Sequence, residues 1–145
     1  MGYSGRVLSD IISFKTWAQQ HSIHFIAVHG SAVTGRLNPQ SDVDVAVLAG
    51  QALSLSEQVD LEAPVKNLLV HFLKDQDLSG RSLDITDCFG ADPLFKFEVA
   101  TKGQALYEDF PGAFNNFKVQ SAREYADTEI FRRQRWAFMQ KEYGS

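Results

Sequence analysis

The chain has 145 residues, 44% of them hydrophobic and 22% charged, which suits a single domain over residues 1–145 with one core. Its net charge of -4 argues against a surface that grips nucleic acid as a whole, so no stable nucleic-acid binding is expected. The single cysteine, Cys88, excludes an internal disulfide, and no stretch approaches 18 uninterrupted apolar residues, so we expect a cytoplasmic protein without a membrane span.

The first half of the chain is predicted to form one helix and then two strands. Apolar residues recur at helical spacing over residues 5–21, which predicts an amphipathic helix. Ile23 to Val28 is an apolar, partly β-branched run that predicts a buried strand. Residues 37–41 have the composition of a turn, and Asp42 to Leu48 predicts the second strand.

The second half begins with a long helical pattern. Apolar residues recur at helical spacing over residues 51–78, but Pro64 predicts a break or a restart near Ala63. Residues 82–88 alternate apolar and polar side chains and predict a third strand.

The last third of the chain is predicted to be mostly helical. Asp92 and Pro93 place an acid at the cap and a proline in the first turn of a helix, and a short strand is expected over residues 104–107. A long terminal helix is expected over residues 114–139, and its basic side is either a solvated face or a docking surface for an acidic partner or ATP. Its basic residues are Lys118, Arg123, Arg132, Arg133 and Arg135.

A Gly-Ser pair and two aspartates form the pattern that indicates chemistry. Gly30 and Ser31 follow the first strand, ten residues intervene, and then Asp42 and Asp44 begin the second strand. Glycine lets backbone approach a phosphate, and two acids at positions i and i+2 of a strand point the same way. Because Val43 and its alternate neighbours supply a buried face on the other side, the pattern indicates a divalent-metal site that faces a nucleotide.

A third acid is expected on the third strand. Asp84 is preferred because Leu83 and Ile85 can bury on the side opposite to it. Asp87 is the competitor, but alternation puts it on the side of Leu83 and Ile85, where it more readily marks the end of the strand. Three carboxylates suit Mg2+, and two such ions about 4 Å apart stabilise the attacking and leaving oxygens of a displacement at phosphorus.

Other polar residues near the pattern have more than one possible role. Ser31 can cap a short helix, meet a phosphate, or do both. Arg36 and Lys102 are candidate phosphate partners, Arg36 being preferred for its place in the loop, and a plain surface role for it is an equal alternative. His29 is more readily a satisfied strand-end residue than a catalytic base. The four histidines have no recognised metal-ligand spacing, and neither a G-x-S-x-G elbow nor a P-loop sequence is present.

The spacing G-S, ten residues, D-x-D and a later acid resembles the signature of the DNA polymerase beta-like nucleotidyltransferase superfamily, with Gly30, Ser31, Asp42, Asp44 and Asp84 in its positions. The small size, the N-terminal helix and the ending GQALYED resemble the minimal nucleotidyltransferase (MNT) antitoxins that pair with HEPN-domain ribonuclease toxins. The resemblance implies an α+β fold, in which helices flank a small mixed sheet and a long helix ends the chain.

The same resemblance implies an activity. It is the Mg2+-dependent transfer of AMP from ATP to a tyrosine of a HEPN-domain partner, which blocks the RNase activity of that partner. By the resemblance, Gly30 and Ser31 hold the triphosphate, Asp42 and Asp44 bind two metal ions, and Asp84 completes the ion that lowers the pKa of the acceptor hydroxyl.

The chain departs from the usual motif in its phosphate loop, and two other functions stay open. Val33 and Thr34 stand where the motif has Ala-Arg, and a basic residue follows only at Arg36. One alternative is a nucleotidyltransferase that modifies a small molecule such as an aminoglycoside. The other is a non-catalytic module that neutralises its partner by covering it, against which the intact acids argue.

Overall fold

A computed structural model describes residues 13–30, 33, 42–72 and 81–144 of the chain. The elements in chain order are α1 (residues 13–20), β1 (Ile23–His29), β2 (Val43–Ala49), α2 (Leu55–Phe72), β3 (Leu83–Asp87), α3 (Pro93–Lys102), β4 (Gln104–Glu108), α4 (Ala113–Asp127) and α5 (Glu129–Tyr143). The strands form one sheet in the order β3-β2-β1-β4. β1 pairs antiparallel with β2 and β4, whereas β2 and β3 are parallel, so the predicted α+β fold with a mixed sheet is confirmed.

Both faces of the sheet are buried under helices. Val43, Val45 and Val47 of β2 alternate onto one face, where α1 and α2 cover them. Phe25 of β1 and Ala46 of β2 lie on the opposite face, in a second core with side chains of α3 and α4. Since burying a side chain the size of valine contributes about 1.5–3 kcal/mol, this alternation fixes which side of each strand faces which pair of helices.

Helix α2 runs through Pro64 without interruption, so the predicted break near Ala63 is wrong. Leu61, Val65 and Leu69 lie on the face of α2 that meets the sheet, and all three are buried. Their combined burial, at about 1.5–3 kcal/mol each, outweighs the cost of roughly 3 kcal/mol that proline imposes inside a helix. Tertiary packing therefore overrides the local breaker, and residues 73–78 of the predicted helix lie outside the described residues.

Side-chain caps fix where α2 and α3 begin. The Ser54 N–H donates to Glu57 Oε1 and the Glu57 N–H donates to Ser54 Oγ, both at 3.1 Å, which is a reciprocal capping box. At α3, Asp92 Oδ1 accepts from the Leu94 N–H at 2.7 Å, and Pro93 is the first helical residue, as predicted.

The long C-terminal helix is confirmed, but it consists of two segments of 15 residues separated at Thr128. The Thr128 hydroxyl donates to the carbonyl oxygen of Tyr125 at 2.7 Å, a local bond that competes with regular helix continuation. α4 buries Phe114 and Phe117 against the sheet, whereas α5 buries no residue. Among the described helices, none is both long enough and apolar enough to cross a bilayer.

Candidate active site

The two halves of the sequence pattern meet where β1 ends and β2 begins. Gly30 follows β1 with a left-handed φ of +71°, and His29 lies opposite Asp44 in the antiparallel register. A Cβ atom at position 30 would collide with the Asp44 carboxylate. Position 30 therefore requires glycine for two reasons, the backbone conformation and the close approach of an acid.

Asp84 lies beside Asp44 across the parallel pair of β2 and β3. Leu83 and Ile85 pack against the core under α1 and α2, so alternation places Asp84 on the other face, which is the face of Asp44. Asp44 is half-buried, while Asp84 and Asp42 are exposed. The fold thus brings Gly30, Asp44 and Asp84 to one end of the sheet, with Asp42 just before β2.

The electrostatics of this sheet end disfavour a negative charge on Asp44. Partial burial raises the pKa of Asp44 above its usual value; His29 opposes that shift, and the charges of Asp84 and Asp42 add to it. Burial and neighbouring like charges both penalise an ionised carboxylate. A bound cation would remove that penalty.

The donor set fits Mg2+. Within the part of the chain that the structure describes, no three His, Cys, Asp or Glu side chains converge closely enough to enclose a metal ion by themselves. Mg2+ does not need such a cage, because it usually binds through one or two carboxylates together with waters and substrate phosphates. The hard oxygens of Asp42, Asp44 and Asp84 are donors of the kind that Mg2+ prefers.

Asp87, the competing third acid, has a structural role. Its Oδ2 accepts from the Leu53 N–H at 2.8 Å, and its Oδ1 accepts from the Phe89 N–H at 2.9 Å. Both oxygens thus hold the loops that enter α2 and leave β3. As the alternation predicts, Asp87 marks the end of the strand and Asp84 is the acid beside Asp44.

His29 is the residue near the site that sequence reasoning undervalued. It ends β1, as expected, but it is not satisfied: Nε2 is buried and has no hydrogen-bond partner among the described residues. Its ring lies edge-on to Phe95 of α3 with centroids 5.7 Å apart. Burial lowers the pKa of His29, and the negative charges of Asp44, Asp84 and Glu98 oppose this shift. Its position immediately before Gly30 was the feature of the sequence that could have placed it near the site.

The predicted phosphate contacts fall outside the described residues in two of three cases. Ser31 and Arg36, with the turn at residues 37–41, lie outside them. Lys102, the third candidate, is in the last turn of α3 and is exposed.

The only thiol of the chain does not take part in this site. Cys88 is buried in the core under α3 and α4 with 1% of its surface exposed. Burial raises the pKa of Cys88 to about 12, so the reactive thiolate is scarce at neutral pH.

Comparisons with known proteins agree with this fold. A family model described as "Polymerase beta, Nucleotidyltransferase" matches residues 13–110, which is more than half of the chain. No curated protein sequence matches the chain.

Several solved structures share the fold. One is a toxin–antitoxin crystal structure with AMP-PNP, with a TM-score of 0.65 and 21% identity over 90% of this chain and 96% of that chain. A second is the toxin–antitoxin MntA-HepT, with a TM-score of 0.59 and 19% identity over 93% and 97% of the two chains. A third is a tri-AMPylated Shewanella oneidensis HEPN toxin in complex with MNT antitoxin, with a TM-score of 0.57 and 18% identity over 87% and 95%.

Proposed function

Because the chain belongs to the polymerase beta nucleotidyltransferase family, we propose that it is a Mg2+-dependent protein adenylyltransferase that moves AMP from ATP to a tyrosine of a HEPN-domain toxin and thereby acts as its antitoxin. The observation that carries the proposal is the meeting of Gly30, Asp44 and Asp84 at one end of the sheet. We place the reaction in the cytoplasm, on a single domain that comprises residues 1–145.

The reaction is an in-line displacement at the α-phosphorus of ATP. The tyrosine oxygen attacks the α-phosphorus and forms a new P–O bond, the bond to the bridging oxygen breaks, pyrophosphate leaves, and the phenol proton passes to water. Two Mg2+ ions, when bound, would neutralise charge and lower the pKa of the acceptor hydroxyl. Asp42 and Asp44 would hold these ions, and Asp84 would complete the one on the acceptor side.

Packing around the acids supports these roles. Val43 and Val45, on either side of Asp44, are fully buried with 0% of their surface exposed, so the strand cannot shift its register without exposing them. Asp44 is therefore held in place before the substrate binds, which is what positional and electrostatic catalysis requires. Ser31 and Arg36 are proposed to contact the triphosphate, Arg36 taking over the task of the arginine that the usual motif has earlier in the loop.

The choice of substrates is supported by the neighbouring structures. One neighbour was solved with AMP-PNP, and another holds an AMPylated HEPN toxin with its MNT antitoxin. These are properties of those proteins, and at 18 to 21% identity they motivate ATP and a HEPN-domain protein as the first substrates to test.

The test is the intact mass of a co-purified HEPN-domain protein after incubation with ATP and Mg2+ in the presence of this chain. We expect the mass to rise by whole AMP units with the wild-type chain and to stay unchanged with Asp42→Asn/Asp44→Asn or with EDTA. Asp60→Asn is the matched control, because Asp60 is an exposed acid on α2.

Three results would contradict the proposal. Tight binding without any mass gain would favour a module that neutralises its partner by covering it. AMP transfer to an aminoglycoside, with none to the protein, would favour a small-molecule nucleotidyltransferase. Unfolding of the double variant, seen by circular dichroism, would show that the two acids are structural.

A further inference from the structure

α5 is an exposed helix whose apolar side chains belong to neither core of the described chain. None of its 15 residues is buried. A helix of this length is marginal in water by itself, because most helical stability comes from packing of an apolar face. The described residues expose thirteen large apolar side chains, and six of them are on α5. The six are Ile130, Phe131, Trp136, Phe138, Met139 and Tyr143.

One residue in the first turn fixes the direction of α5. The guanidinium of Arg132 lies 3.9 Å from the ring centroid of Tyr125, and it donates to the Tyr125 hydroxyl at 3.1 Å and to the Tyr125 carbonyl oxygen at 2.9 Å. Its Nε donates to Thr128 Oγ1 at 3.1 Å. Tyr125 in turn stacks on Phe97 of α3, with ring centroids 4.2 Å apart. The helix is thus anchored to the domain at its start, and this preorganisation lowers the entropy cost of binding.

The surface of α5 combines aromatic and cationic side chains. Trp136, Met139 and Tyr143 recur at spacings of three and four and share one face, with Arg135 beside Met139. The helix carries four cations against two acids, in a chain whose net charge is -4. Arg133 is paired with Glu129, while Arg135 and Lys141 take part in no ion pair among the described residues. Aromatic residues and arginine are the side chains most enriched at binding hot spots.

We propose that α5 docks the protein that receives AMP, by laying the face of Trp136, Met139 and Tyr143 into an apolar groove that has acidic residues on its rim. This inference rests on the proposed function only for the identity of the docked protein. Arg135 pairs with the acidic rim and the apolar side chains fill the groove. A second copy of the chain fits less well, because two α5 helices facing each other would oppose their excess positive charges.

The test is the equilibrium affinity of the full chain for the co-purified HEPN-domain protein, measured by calorimetry. We expect Trp136→Ser/Met139→Ser to raise Kd by about 30-fold or more, because hot-spot aromatics dominate binding. Arg135→Glu is expected to raise Kd by about tenfold at low salt, and by less at high salt. The matched control is Leu55→Ser/Val59→Ser, which removes two apolar side chains on α2 that are 81% and 67% exposed and is expected to leave Kd unchanged.

Each outcome of these measurements either supports or overturns docking through α5. Thermal stabilisation by Mg2+ and AMP-PNP must be the same in wild type and α5 variants, which shows that the domain and its nucleotide site are intact. Wild-type affinity in the α5 variants, or absence of wild-type binding, overturns the inference. If the α5 variants convert a wild-type dimer into a monomer, the inference is overturned in favour of a second copy of the chain. If the α5 variants lose binding only to a labelled RNA, it is overturned in favour of nucleic acid. If the α5 variants lose partner binding and wild type transfers no AMP, docking through α5 is supported and the proposed activity is contradicted.

Discussion

The sheet end around Gly30 and the helix α5 are constructed in opposite ways. Asp44 lies between two fully buried valines, and its carboxylate lies where a Cβ atom of residue 30 would be, so its strand position is fixed and the approach to Gly30 is close. α5 buries nothing, and the hydrogen bonds of Arg132 tie its first turn to Tyr125 of α4. Chemistry at phosphorus needs atoms fixed before the substrate arrives, whereas a docking surface must stay open until the partner covers it. The contrast matches the proposed division between a part that reacts and a part that recognises the partner.

Of the variants considered, Gly30→Ala is expected to have the largest effect on AMP transfer and on stability. The variant must hold a side chain at a φ of +71° and push aside the Asp44 carboxylate. We expect AMP transfer to be lost and the free energy of unfolding to fall by about 2–4 kcal/mol, from the left-handed conformation and the overpacking together. Chemical denaturation and the mass assay measure the two effects.

Gly90→Ala is the matched control for that prediction. Gly90 has the same φ of +71°, but a Cβ atom there would meet nothing within 4 Å. This variant should therefore lose only the conformational contribution, about 1 kcal/mol, and keep its activity. If both variants lose the same free energy of unfolding, a Cβ atom at position 30 does not disturb Asp44. The main evidence that Gly30 makes room for the Asp44 carboxylate would then be lost.

A smaller effect is expected from Arg132→Ala. Removing the guanidinium breaks three hydrogen bonds and the contact with Tyr125, all of them exposed. We expect amide hydrogens of α5 to exchange at least tenfold faster, while the global free energy of unfolding falls by less than about 1 kcal/mol. Arg133→Ala is the control, because it removes only an i,i+4 pair within α5. Unchanged exchange in Arg132→Ala would mean that something else orients the helix.

Sequence reasoning succeeded where a short-range pattern decides the structure. Strand alternation separated Asp84 from Asp87, and the Asp92-Pro93 pair located the start of α3. It failed where distant packing decides: Pro64 is tolerated because the face of α2 on the sheet is buried. The close approach of Asp44 to position 30, just after β1, depends on the register of β1 and β2, which one sequence does not display.

The smallest expected effect is the pH dependence that Asp44 confers on stability. Its pKa is raised in the folded protein, so the native state holds this proton more tightly than the unfolded chain does. The stabilisation is complete below the unfolded pKa of about 3.8 and is lost as the pH rises through the native pKa. Without metal, Asp44→Asn should therefore be at least as stable as wild type at pH 7, with an advantage that shrinks as the pH falls towards 4.

The magnitude of that advantage is small because solvent still screens much of the carboxylate. Its sign nevertheless distinguishes the two possible roles of the acid. If Asp44 holds Mg2+, adding Mg2+ with AMP-PNP should stabilise wild type and not Asp44→Asn, so the order of the two free energies of unfolding reverses. If Asp44 is a structural acid, the variant should be the less stable protein both with EDTA and with Mg2+. Urea unfolding in the two conditions, with Asp60→Asn as the charge-matched control, separates a ligand-binding carboxylate from a structural one.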